Sequence, residues 1–133
     1  MQLKEYRDAF VEDALAVVSV ASVGKPEEGF PTGKKAVECL EVTLNILKRM
    51  GFSTYADPEG YYGYAEIGEG PLFGILGHLD VVPARKEDGW ESDPFKPEVR
   101  DGRIYGRGIQ DDKGPVLAAA YALKALLDEG AKL

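Results

Sequence analysis

The sequence predicts an α/β fold, and three observations carry that expectation. Leu72 to Leu76 is apolar apart from Gly74 and is followed by Gly77, which suits a strand covered on both faces in a parallel sheet. Apolar residues recur at three- and four-residue steps before and after it, the period of helices with one buried face. The turn sequence Asp57-Pro58-Glu59-Gly60 separates two short strand-like runs, which suggests a hairpin.

Taken in order, the first helix starts at Leu3, with Tyr6, Phe10, Ala14 and Val17 on its apolar face and Glu5, Arg7, Asp8, Glu12 and Asp13 between them. Gly24 to Gly33 holds Pro26, Gly29 and Pro31 without periodicity and reads as a loop, with Thr32 placed to cap the next helix. That helix runs from about Lys34 to Met50 on a stripe of Val37, Leu40, Leu44 and Leu47. Lys48 and Arg49 complement its carboxyl-terminal dipole, and Gly51 stops it. Phe52 to Ala56 and Tyr61 to Ile67 form the hairpin, whose aromatic residues suit sheet packing better than a ligand cage.

After the central strand, Pro83 to Gly102 reads as a long irregular stretch. Trp90 and Phe95 either serve function there or anchor the loop on the body. Arg103-Ile104-Tyr105 suggests a short strand. Pro115 fits the first turn of a last helix running through Val116, Ala119, Ala120, Leu123, Leu126 and Leu127 to Gly130. Only Lys124 is charged between Pro115 and Leu127, so this helix is expected to be largely buried against the sheet.

The 133 residues form one domain with one core, at the short end for a complete α/β enzyme. Sixteen basic and 23 acidic residues give a net charge of −7 with no long basic cluster, which argues against a nucleic-acid partner. Cys39 is the only cysteine, so no internal disulfide forms, and its helical setting suits a small buried residue in a reducing compartment. Lys4, Glu5, Arg7 and Asp8 stand where a signal peptide needs an uncharged run. No stretch reaches the roughly 18 apolar residues of a membrane span. A cytoplasmic location without membrane partners is the expectation.

The chemistry-bearing residues lie at strand ends, where parallel sheets place their sites. His78 and Asp80 follow the apolar strand with Leu79 between them, so a persisting pleat points both side chains the same way. An imidazole then binds a metal while the carboxylate orients it. Asp111 and Asp112 precede a helix, where they serve either as an N-cap or as a carboxylate pair in which one bridges two divalent cations. Gly106-Arg107-Gly108 lacks both nucleotide-binding glycine patterns, and Arg107 fits either a substrate carboxylate or a surface pair.

Several motifs occur in order: Gly77-His78-Leu79-Asp80-Val81-Val82-Pro83, Gly89-Trp90, Asp93-Pro94-Phe95, Tyr105-Gly106-Arg107-Gly108 and Asp111-Asp112-Lys113-Gly114-Pro115. Together, from about Leu72 to Leu127, they resemble the M20 family of zinc metallopeptidases. The Asp-Asp-Lys-Gly-Pro motif is similar to the dipeptidase branch, the PepV-like and carnosinase-like enzymes.

The resemblance implies a three-layer α/β/α catalytic domain of which residues 1–133 are the amino-terminal portion, the rest of it and any lid domain being absent. It implies two zinc ions, with Co2+ or Mn2+ as substitutes: His78 binds one, Asp111 bridges both, and Asp80 orients His78. A cis peptide is implied at Asp111-Asp112. The implied reaction is dipeptide hydrolysis by a metal-activated water, with a glutamate as general base.

The alternatives are a deacylase or desuccinylase acting on N-acyl amino acids, and a non-catalytic binding or assembly module on the same scaffold. His78 is the only histidine, so the implied general base and remaining ligands must come from further polypeptide. Alone, this chain is expected to be inactive and to bind metal weakly. The implied partners are a small peptide substrate, the remainder of the same polypeptide and a second copy of the complete enzyme.

Overall fold

The computed structural model describes residues 3–133. Three 16-residue helices carry the fold: α1 at Leu3–Val18, α2 at Lys34–Arg49 and α3 at Lys113–Asp128. Two antiparallel hairpins lie between α2 and α3. The first pairs β1, Ser53–Ala56, with β2, Gly63–Glu66, and the second pairs β3, Glu98–Arg100, with β4, Arg103–Tyr105. Among the described residues no helix is long and apolar enough to cross a membrane.

The core forms where the three helices meet. Ala14, Val17 and Val20 from α1 and its exit pack with Cys39 and Ile46 of α2 and Leu117 of α3. The periodicity placed α2 correctly, but its buried face is split. Cys39, Thr43, Leu44 and Ile46 are buried on the helix, while Leu40 and Leu47 of the predicted stripe of Val37, Leu40, Leu44 and Leu47 join Leu44 in lining a groove shared with Phe52 and the first hairpin. Gly63 suits that hairpin because a Cβ there would meet Leu40 and Leu44 at 3.0 Å. Thr32 does not cap α2: Gly33 is the N-cap, and the Thr32 hydroxyl donates to the Gly60 carbonyl at 2.8 Å.

One carboxylate ties the three helices together. Asp13 of α1 is 4% exposed, accepts from Arg49 of α2 at 2.5 Å and accepts from the Tyr121 hydroxyl of α3 at 2.6 Å. The Tyr121 ring also meets Phe10 edge-on, with centroids 5.7 Å apart. Burial, then the Asp13 bond, pushes the Tyr121 phenol above its ordinary pKa.

Three expectations are corrected. Among the described residues Leu72–Leu76 forms no strand, and Leu72, Phe73, Ile75 and Leu76 are exposed. A strand needs a neighbour for its ladder, and among the described residues the one parallel contact near this segment is the single bridge between Val23 and Val81. For the same reason α3 packs on α1 rather than on a sheet, leaving Leu126 exposed. The stretch Pro83–Gly102 is more ordered than expected. It holds a 3-10 turn at Lys86–Asp88 and ends in β3, joined to β4 by Asp101 and Gly102 at φ 49° and 73°.

Candidate functional site

The site forms where the exit of the extended segment meets the amino-terminal end of α3. His78 and Asp111 lie 33 residues apart in sequence, yet Nε2 of His78 stands 2.9 Å from Oδ1 of Asp111. Behind the ring, Nδ1 lies 3.1 Å from the Asp80 carbonyl oxygen and 3.2 Å from an Asp80 carboxylate oxygen. Each ring nitrogen therefore faces an oxygen, an arrangement that suits a doubly protonated imidazole in the metal-free protein. Burial alone pulls the His78 pKa down. The Asp80 carbonyl and the Asp111 and Asp80 carboxylates outweigh it, so the net shift is upward.

The structure thus brings together His78, Asp80 and Asp111, the three residues singled out in the sequence. The peptide between Asp111 and Asp112 is cis. Neither aspartate side chain caps α3: Asp112 is the N-cap residue but makes no side-chain cap bond. Its Oδ2 instead accepts from the His78 backbone N–H at 3.3 Å, tying the two halves of the site. Gly77 makes the approach feasible, since a Cβ there would lie 2.5 Å from Val116 Cγ2 and 2.7 Å from Asp112 Oδ2.

Two buried residues missed in the sequence hold the halves in place. Ser22, fully buried, donates from its hydroxyl to the Leu79 carbonyl at 2.6 Å, and the Val81 N–H donates to the Ser22 carbonyl at 3.0 Å. Lys113, also fully buried, donates from Nζ to the carbonyls of Val17 at 3.1 Å and Val20 at 2.8 Å. These carbonyls lie at the end of α1, whose last turn has no basic residue of its own. Burial lowers the Lys113 pKa, partly offset by the neighbouring Cys39 thiol. Ser22 gave no signal in sequence, and Lys113 gave none beyond its place in the Asp111 to Pro115 motif, beside Gly114. A Cβ on Gly114 would lie 2.0 Å from the Ile109 carbonyl oxygen.

Arg107 packs beside Trp90. Its guanidinium lies 5.4 Å from the Trp90 ring centroid, and its backbone N–H donates to the Pro94 carbonyl at 2.8 Å. Trp90 therefore anchors its loop on the body. The smaller loop residue Phe95 is half-buried.

The donor chemistry fits a divalent cation. An imidazole nitrogen and a carboxylate oxygen meet at a partly open surface, with 49% and 86% of their side-chain areas exposed and a second carboxylate behind the ring. They supply two donors. Among the described residues no cluster of three or more histidine, cysteine, aspartate or glutamate side chains could hold a metal ion.

Residues 74–133 match the model of peptidase family M20/M25/M40. A protein of Staphylococcus saprophyticus provisionally named a dipeptidase is 43% identical over 129 residues, covering 94% of this chain and 27% of that protein. Among solved structures, human carnosine dipeptidase 1 superposes with a TM-score of 0.69 and 32% identity, over 92% of this chain and 30% of that one. An M20 family metallo-carboxypeptidase from Sulfolobus solfataricus gives a TM-score of 0.74 and 26% identity, over 90% of this chain and 27% of that one. The mixed helix and strand fold is similar to that of these structures, and the chain spans about 30% or less of the length of each.

Proposed function

We propose, from the match of residues 74–133 to the M20/M25/M40 peptidase model, that the protein carrying this chain is a zinc-dependent dipeptidase. The observation that carries the reading is the 2.9 Å approach of His78 Nε2 to Asp111 Oδ1 with Asp80 on the opposite ring nitrogen. The names of the staphylococcal relative and of the human structure support a dipeptide as substrate.

In this reading Nε2 of His78 and the Asp111 carboxylate would hold the zinc. Zinc held there would supply an acidified water, with a pKa of about 7, and a polarised carbonyl. Asp80 takes the Nδ1–H of His78, which fixes the tautomer and leaves Nε2 free to donate its lone pair. Asp112 orients the same residue through its backbone N–H. The general base and the other ligands belong to the rest of the polypeptide, since the chain spans 27% of the length of the staphylococcal relative. A cytoplasmic location and a homodimer of the complete enzyme remain parts of this proposal.

The test is hydrolysis by the full-length protein with zinc, assayed side by side on dipeptides and N-acyl amino acids. Dipeptides are expected to be the better substrates. His78→Ala and Asp111→Ala are each expected to abolish turnover, and activity retained in either refutes the ligand assignment. Asp80→Ala is expected to cost about 10- to 100-fold. Full tolerance of it would point to the non-catalytic module.

A further inference from the structure

The two arms of the site hang from one short segment. The His78 arm is tied through Leu79 and Val81 to Ser22. The Asp111 arm is tied through Lys113 to Val17 and Val20. The arms touch at Gly108, where a Cβ would lie 2.7 Å from Val81 Cγ1 and 3.1 Å from Lys113 Cδ. The Lys113 backbone N–H closes the loop by donating to the Gly108 carbonyl at 3.0 Å.

Lys113 is unusual in what it lacks. Among the described residues its buried ammonium makes no ion pair, only bonds to neutral carbonyls beside the Cys39 thiol. Burying a charge without a counter-ion is unfavourable, and an apolar side chain of the same length would fill the space. An apolar side chain would not set direction. Two donors held by two carbonyls fix where the chain enters α3, and Asp111 lies two residues before that point.

We propose that Lys113 is a positioning residue for the ligand pair: its bonds to the Val17 and Val20 carbonyls hold the Asp111 carboxylate against His78, which Ser22 holds from the same segment. The inference rests on the reading of His78 and Asp111 as ligands.

The test uses the full-length protein, stripped of metal and titrated with Zn2+ alone against a competing chelator, with the visible absorption of added Co2+ as a second readout. Lys113→Met keeps the stem and removes the donors. Ile46→Ala removes core packing on α2, away from the loop, as a purely structural control. Lys113→Met is expected to weaken zinc binding about 10- to 100-fold and to alter the cobalt spectrum. Ile46→Ala is expected to lower the melting temperature while zinc affinity stays within about threefold of wild type.

A Lys113→Met protein that melts earlier yet binds zinc within threefold, with an unchanged cobalt spectrum, overturns the proposal. Should that variant not fold, Lys113→Leu, which also removes both donors, is judged by the same threefold criterion. Wild-type protein that takes up neither ion refutes the ligand reading itself, and the positioning role falls with it.

Discussion

Replacing Tyr121 with phenylalanine removes one hydroxyl from the point where α1, α2 and α3 meet. The ring keeps its edge contact with Phe10, so the perturbation is confined to the 2.6 Å bond to Asp13. A hydrogen bond to a charged acceptor contributes about 1.5–3 kcal/mol. Asp13 keeps Arg49, whose side chain is 65% exposed, so the lower part of that range, about 1.5–2 kcal/mol, is expected. With an m-value of about 1–3 kcal/mol/M, the urea midpoint should fall by about 0.5–2 M without a change in slope.

The pH dependence supplies a second check. The folded Tyr121 pKa is raised, chiefly by burial and then by the Asp13 bond. Its contribution is therefore fully present below about pH 10, the free phenol value, and is lost as pH rises through the folded value. The gap between wild type and Tyr121→Phe should narrow above pH 10. A loss under about 0.5 kcal/mol at neutral pH, or a gap that holds through the alkaline range, would refute the reasoning.

Three further perturbations test the site and its surroundings. His78 should titrate above 6.5 in the metal-free protein, its stabilising effect complete below that pH and lost as pH rises through the folded value. Zinc must displace that proton, so affinity should climb across the same window; ring NMR shifts compared with a His78→Gln spectrum check this, and a pKa at or below 6.5 contradicts it. Gly77→Ala presses a methyl into Val116 and Asp112 and should cost about 1–3 kcal/mol, with weaker zinc binding. Unchanged affinity would mean the two halves move apart harmlessly. Asp101 has φ 49°, so Asp101→Val should cost about 1–2 kcal/mol in denaturation while Asp101→Gly stays near neutral; equal effects would exclude a left-handed turn.

The helices and the first hairpin were legible because their signals are local: periodicity, the basic end of α2 and the Asp57 to Gly60 turn. The second hairpin was equally legible and was overlooked. Asp101-Gly102 between Val99-Arg100 and Arg103-Ile104 is a two-residue turn sequence with both positions at positive φ. His78, Asp80 and Asp111 were found through their motifs, and their meeting point follows from contacts between distant parts of the chain. Lys113 and Ser22 were missed because their partners are backbone carbonyls up to 96 residues away, which no spacing rule connects. The Leu72–Leu76 strand was misjudged for a related reason: its apolar run specifies burial, but pairing depends on a neighbour.

Leu72–Leu76 has a colloidal consequence. Its backbone amides and carbonyls run unpaired among the described residues, flanked by Leu72, Phe73, Ile75 and Leu76 side chains open to water. Such a row accepts any extended chain that reaches it, including the same segment of another molecule. The interval from Gly70 to Val82 has no lysine, no arginine and one carboxylate, Asp80, so few charges repel an approaching copy. Handling of these 133 residues by themselves would be governed by concentration, with precipitation seeded at the very segment that leads into His78.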